Sequence, residues 1–208
     1  LLAEKSFQMN THAIGDAANR LVLEVYNQVL RTKEDPRWRI EHAQLIAPED
    51  FPRFNAKIIP SVQPIHAVSD MGWAIDRLGN ERIKGAYAYK DLLDWSGIVV
   101  LGTDFPVEDI NPFKTFYAAV ARKVPGDQSS KAFQPRNYLS RYEALLGLTR
   151  WAAYANFEDN EKGSIEVGKF ADFIILDQDI MQVEIESVPH TRIVATLLNG
   201  KIVFSNRL

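Results

Sequence analysis

Uninterrupted apolar runs alternate with amphipathic stretches over about the first 122 residues of the chain. The runs predict strands at residues 7–11, 38–42, 57–62 and 98–103. The stretches between and after them predict helices at residues 16–31, 69–78, 88–96 and 113–121. Apolar runs without alternation are typical of strands buried on both faces, as in a parallel sheet. This order therefore predicts an α/β fold with a parallel sheet and helices outside it.

The pattern changes after a long helix predicted at residues 140–156, where short apolar runs follow one another without helices between them. These runs are residues 164–167, 171–176, 193–198 and 201–205. Asn199-Gly200 is a strong two-residue hairpin signal, so the tail is predicted to be antiparallel. We divide the chain into a partial β/α barrel, residues 1–160, and a small β-unit, residues 161–208. Four β/α units are half of an eight-unit barrel, which typically needs about 250 residues.

Composition narrows the classes of partner and cofactor. The chain has 208 residues, 46% of them hydrophobic, with a net charge of −3. No basic block occurs, which argues against nucleic acid or an anionic membrane as a partner. No apolar run approaches the roughly 20 residues of a membrane span. Cysteine is absent, so any metal must be held by His, Asp or Glu.

Three predicted strands end near residues that bind metals. His12 and His42 end the first two strands, and Asp104 follows the fourth after Gly102. Carboxyl ends of parallel strands share one rim in a barrel, so these side chains can converge on one ion, and zinc suits His with carboxylate. Taken singly, each His is more often a capping or hydrogen-bonding group, and Asp104 is as well explained by capping the next loop.

Several motifs resemble the later strands of the metal-dependent amidohydrolase superfamily, in the family's order and over nearly the whole chain. The YtcJ-like (amidohydrolase 3) group, which includes N-substituted formamide deformylases, is the most similar branch. The motifs are Thr11–Asp16, Ile40–Gln44, Ser61–Asp70, Arg77–Arg82, Gly102–Val107 and Gly163–Asp172.

This resemblance implies the C-terminal half of a TIM-like (β/α)8 barrel, a small β-rich unit, and one or two divalent metal ions, zinc above all. His12 matches the ligand of the fifth barrel strand and His42 that of the sixth. Asp104 matches the eighth-strand residue that binds metal and carries the proton. The implied reaction is hydrolysis of a carbon–nitrogen bond in a small amide-type substrate by a metal-activated water.

Two further residues follow the predicted third strand. His66 and Arg82 fall in motifs that the resemblance places after the seventh barrel strand, where they are expected to face substrate. The plainer interpretations are a loop histidine bonded to the backbone and a salt-bridged helical arginine.

The chain departs from the family pattern at its start. The family's first strand carries a His-x-His pair, and none occurs here. Nothing before His12 can supply strands one to four. We interpret the chain as the C-terminal portion of a longer enzyme, inactive alone and prone to form a homo-oligomer through its open edge. A cytoplasmic location is favoured, although any targeting signal would lie upstream.

Two other functions fit the same residues. A non-catalytic domain would keep the fold and work by assembly or binding. Another metal-dependent barrel enzyme, a lyase or a phosphoester hydrolase, would use the same rim. An upstream His-x-His would favour the enzyme over the assembly domain, and a substrate screen would separate the chemistries.

Overall fold

Four short parallel strands form the centre of the molecule. The computed structural model describes residues 1–5, 7–127 and 129–206. Its strands are β1 (Asn10–Ala13), β2 (Trp38–His42), β3 (Ile58–Val62) and β4 (Val100–Leu101). They pair in chain order and every pair is parallel, which confirms the predicted α/β class. All five residues of β3 are buried, as an uninterrupted apolar run requires.

Six α-helices accompany these strands in the described part of the chain. They are α1 (Asp16–Val29), α2 (Pro64–Arg82), α3 (Tyr89–Ser96), α4 (Pro112–Ala121), α5 (Arg141–Leu148) and α6 (Arg150–Ala155). Their apolar faces share one core with the strands, and its fully buried members include Leu23, Ile40, Ile58, Leu92 and Phe116. Burying each such side chain contributes about 1.5–3 kcal/mol before entropy is counted. None of the described helices is long and apolar enough to cross a membrane.

Two helix predictions need correction. The helix predicted from residue 69 begins at Pro64, because proline at the first helical position loses only an N–H that has no helical partner anyway. The helix predicted over residues 140–156 is broken at Thr149, whose backbone leaves the helical region. The Thr149 hydroxyl donates to the carbonyl of Leu145 at 2.6 Å, a back-bond that competes with regular helix.

The tail forms a separate three-stranded antiparallel sheet. Its strands β5 (Phe173–Leu176), β6 (Ile193–Leu198) and β7 (Lys201–Ser205) pair in that order. Asn199 and Gly200 both have positive φ, as the predicted two-residue hairpin requires.

Three strand predictions were wrong in extent or existence. The strand predicted at 7–11 is β1 (Asn10–Ala13), so His12 lies within the strand and not after it. Residues 164–167 form no strand, since Ile165 and Val167 are exposed and no described strand pairs with them. The strand predicted at 98–103 shortens to β4, which pairs with β3 at only two positions, Ser61 with Val100 and Val62 with Leu101. The shortest strand pairing in the parallel sheet is therefore the one between β3 and β4, just before Asp104.

Candidate metal centre

Three predicted site residues meet at the carboxyl edge of the parallel sheet. His42 is the last residue of β2, His66 lies in the first turn of α2, and Asp104 follows β4 by three residues. One donor atom from each lies within 4.8 Å of the others. Imidazole nitrogen and carboxylate oxygen are the ligands that zinc takes in sites without cysteine. Within the described ranges, this is the single cluster of three such side chains.

His12 lies beside this cluster rather than in it. Its ring centroid is 4.5 Å from that of His42, and the two rings meet edge-on at 72°. The parallel register pairs His12 with Glu41, which sets the two histidines one residue apart on adjacent strands. β1 ends the described sheet, and His12 is exposed there. Of the predicted ligand set, the structure brings His42 and Asp104 together with His66 and leaves His12 beside His42.

His66 is held between two carboxylates. Its Nδ1 is 3.0 Å from Oε1 of Glu108, and its Nε2 is 3.4 Å from Oδ2 of Asp104. The hydroxyl of Ser69, one turn further along α2, donates to the same Glu108 oxygen at 2.7 Å. The ring also stacks on His42 with centroids 5.9 Å apart. The loop interpretation of His66 is therefore wrong: it is a buried helical residue and one of the three members of the cluster.

His42 is kept in its neutral form by its surroundings. Burial, reinforced by the neighbouring His12 ring, lowers the pKa of His42 below its ordinary value. Its Nδ1 lies 2.9 Å from Oε1 of Gln63, the residue that follows β3. A neutral imidazole with one nitrogen engaged leaves the other free to bind a metal.

A buried asparagine ties the exits of the first two strands together. The Asn19 side-chain N–H groups lie 3.0–3.2 Å from the carbonyls of Ala13, Ile14, Gly15 and Leu45. Three of these carbonyls follow His12 and one follows His42. The bonds therefore fix the spacing of the two strand ends, and with it the spacing of the two histidines.

Arg82 lies away from the cluster, at the far end of α2 from His66. It forms a two-point ion pair with Asp16, with Nη2 to Oδ2 at 2.9 Å and Nε to Oδ2 at 3.1 Å. The salt-bridge interpretation of Arg82 is thus observed. Asp16 opens α1 four residues after His12, so the pair lies on the same side of the sheet as the strand exits.

Sequence reasoning missed three residues that support the site: Gln63, Glu108 and Asn19. Gln63 lies in the Ser61–Asp70 motif, and its position between a strand end and Pro64 is the one signal that could have identified it. Glu108 and Asn19 carry no such signal, because their contacts span 42 and up to 26 residues of chain.

Comparison with known proteins agrees with the resemblance in the motifs. The model of the "Amidohydrolase family" matches residues 1–204. The chain is 38% identical over 98% of its length to Protein LONG AFTER FAR-RED 3 of Arabidopsis thaliana, and 32% identical over 97% to putative amidohydrolase YtcJ of Bacillus subtilis. It covers 35% and 38% of these proteins. It is also 26% identical over 91% to an N-substituted formamide deformylase of Arthrobacter pascens, covering 35% of that enzyme.

Solved structures agree as well. An uncharacterized metal-dependent hydrolase from Pyrococcus furiosus superposes with a TM-score of 0.72 and 32% identity. The match covers 85% of this chain and 34% of that one. This chain therefore spans about a third of the length of the curated relatives and of this solved structure. Because the family model matches nearly all of its sequence, the chain belongs to the Amidohydrolase family.

Proposed function

We propose that this chain is the C-terminal part of a metal-dependent hydrolase that cleaves a non-peptide carbon–nitrogen bond of a small amide-type substrate. The observation that carries the proposal is the convergence of His42, His66 and Asp104 donors within 4.8 Å, in a chain of the Amidohydrolase family. The cluster lies at the carboxyl edge of a parallel sheet, and barrel enzymes carry their active sites at that edge. The missing barrel strands would come from the rest of the natural protein.

Histidine and carboxylate donors fit a divalent ion, and zinc best. Of the clustered donors, His42 and Asp104 are assigned to the metal and His66 to the substrate, and His12, which lies beside His42, completes the ligand set that this chain supplies. His12, His42 and Asp104 would hold it through nitrogen and oxygen, and further ligands would come from the upstream strands. The lowered pKa of His42 suits this role, because only neutral imidazole binds a metal. A bound metal would lower the pKa of a water molecule and polarise the substrate carbonyl.

Asp104 is proposed as the proton carrier. The attacking water loses a proton to the Asp104 carboxylate as its oxygen bonds to the carbonyl carbon. The same proton passes to the leaving nitrogen as the carbon–nitrogen bond breaks. His66, fixed at Nδ1 by Glu108, presents Nε2 to Asp104 and to the space where substrate would lie. Arg82, paired with Asp16, is proposed as a second substrate contact at the rim.

Metal removal and reconstitution of the natural full-length protein test the proposal. We expect a chelator to abolish hydrolysis of N-substituted formamides and related amides, and zinc to restore it. Turnover of phosphoesters instead, or of no amide in a broad screen, would contradict the proposed reaction. Full activity after metal removal would contradict the proposed dependence of the reaction on a metal.

Single substitutions separate ligands from substrate contacts. His12→Asn, His42→Asn and Asp104→Asn should each lower zinc affinity in a competition titration with a chromophoric chelator. His66→Asn should retain zinc and raise KM. His190→Asn is the matched control, since His190 lines a surface cavity with Tyr117 and Lys123, outside the cluster.

A further inference from the structure

Gln63 connects the third strand of the parallel sheet to the helix that carries His66. It follows the last residue of β3 and precedes Pro64, the first residue of α2. Only 7% of its surface is exposed. A glutamine amide buried to this extent must find hydrogen-bond partners, since leaving one unpaired costs about 1–3 kcal/mol.

The Gln63 side chain finds its partner in His42. The Gln63 Oε1 lies 2.9 Å from Nδ1 of His42. A carbonyl oxygen only accepts hydrogen bonds, so a bond in this orientation requires the ring proton on Nδ1 and the lone pair on Nε2. Nδ1 is then occupied by the hydrogen bond to Gln63, and Nε2 is the His42 atom that remains for a metal.

The Gln63 main chain acts on His66. Its carbonyl accepts the backbone N–H of His66 at 3.1 Å, which closes the first turn of α2. One residue therefore contacts the side chain of His42 through its amide and the main chain of His66 through its carbonyl. The two imidazoles stack with their centroids 5.9 Å apart.

Buried groups hold Gln63 in place from behind. The hydroxyl of Tyr89, which is buried, donates to the Gln63 carbonyl at 2.9 Å. Burial raises the pKa of Tyr89 above its ordinary value, so the hydroxyl keeps the proton that it donates. The guanidinium of the fully buried Arg122 lies 4.9 Å from the Tyr89 ring centroid. Buried side chains therefore hold the Gln63 main chain in place.

We propose that Gln63 is a positioning residue of the metal centre: it holds His42 as the Nδ1–H tautomer with Nε2 presented to His66 and Asp104. This inference rests on the function proposed above and adds a specific role for a residue outside the predicted ligand set. A partner of this kind typically changes metal affinity about 10–100-fold.

Two substitutions of the natural full-length protein test the role. Gln63→Met keeps the length of the side chain and removes the amide. Gln63→Glu keeps an oxygen acceptor in the same place. With folding checked by circular dichroism and Tm, we expect Gln63→Met to lose about 10–100-fold in zinc affinity. We expect Gln63→Glu to keep most of that affinity.

Nitrogen-15 spectra of the metal-free protein with labelled histidine give a readout that needs neither zinc nor turnover. The His42 signals are assigned by their loss in His42→Asn. Wild type and Gln63→Glu should show the proton on Nδ1, and Gln63→Met should shift toward the Nε2–H tautomer. A wild-type proton on Nε2 would overturn the inference, because the Gln63 amide would then donate to Nδ1.

The reference variants keep the two hypotheses apart. If His42→Asn lowers zinc affinity while Gln63→Met matches wild type, the role of Gln63 is wrong and the metal centre stands. If His42→Asn leaves zinc affinity unchanged, the metal centre itself is wrong and the role of Gln63 falls with it. Gln44→Leu is the matched control: its amide donates to Tyr87 at 2.8 Å, and it should leave both readouts unchanged.

Discussion

Left-handed backbone conformations occur at the exits of two strands that carry the candidate site. His42 has φ of 73°, Ala43 of 42° and Asp104 of 58°. Such values are uncommon for residues other than glycine and cost of order 1–3 kcal/mol where they are strained. Surrounding contacts hold the turns, among them the bond from the Val107 N–H to the Asp104 carbonyl at 2.8 Å. Observed outliers of this kind point to function, and both turns aim a predicted ligand at the cluster.

Asp104→Asn tests the proton carrier at the scale of one residue. The amide keeps the shape of the carboxyl group but cannot take up a proton. We expect kcat on a good amide substrate to fall by about 10² to 10⁴ in the natural full-length protein. Steady-state kinetics at saturating zinc make the measurement.

Asp109→Asn is the matched control for Asp104→Asn. Asp109 lies in the same loop, where it pairs with Lys114 and accepts the N–H of Asn111. Its loss should leave kcat unchanged. A fall of less than about tenfold in Asp104→Asn would rule Asp104 out as the proton carrier.

At the scale of elements, the position of α2 decides what joins the site. The helix starts at Pro64, five residues before its predicted start, and this brings His66 into the first turn above the sheet. Ser69 falls on the next turn and contacts the same Glu108 oxygen as His66. The register of β1 and β2 acts similarly on His12 and His42. Helix starts and strand register therefore set the ligand geometry.

Close packing of Gly85 against the chain that follows β2 gives a prediction at this scale. A Cβ on Gly85 would lie 2.0 Å from the Ile46 carbonyl oxygen, a backbone atom that cannot move aside cheaply. We expect Gly85→Ala to lower the free energy of unfolding by about 1–3 kcal/mol or more. Urea denaturation of the natural full-length protein makes the measurement.

Gly72 offers the matched control. It lies exposed within α2, and a Cβ there would meet nothing within 4 Å. Gly72→Ala should therefore raise the free energy of unfolding by about 0.5–1 kcal/mol, because alanine favours helix over the unfolded chain. Equal effects of the two substitutions would contradict the packing described here.

At the scale of the molecule, both sheets have open edges among the described residues. β1 ends the parallel sheet, and β7 is exposed along its whole length. Several large apolar side chains of the antiparallel sheet are also exposed: Ile174, Ile175, Leu198, Ile202, Val203 and Phe204. Open edges invite pairing with other chains, and clustered exposed apolar side chains favour association.

The 208-residue chain expressed alone tests the proposed division of the site. We expect it to bind zinc weakly, to show no turnover, and to self-associate or dissolve poorly. A zinc site normally needs three protein ligands in fixed geometry, and here His12 stands exposed on an end strand. Metal content after dialysis and sedimentation in the same buffer check both points. A monodisperse monomer with one equivalent of zinc would show that the site is complete without upstream strands.

The sequence by itself determined the family, the α/β order, the antiparallel tail and the kinds of ligand available. These follow from contiguous signals: apolar runs, the Asn199-Gly200 turn, and motifs that contain His42 and Asp104. Local patterns of this kind depend on neighbours along the chain, so they can be read without a fold. The assignment of individual ligands remains a prediction from the resemblance.

Only the tertiary structure decided which side chains meet. The bond of His42 to Gln63 joins residues 21 apart, and that of His66 to Glu108 joins residues 42 apart. Such contacts depend on the register of parallel strands, on the start of α2 and on left-handed turns at the rim. No local propensity encodes these features, because each arises when elements distant in the chain pack together. The sequence therefore predicts only that His66 faces substrate. Its position beside Asp104 and its contact with Glu108 are seen only in the fold.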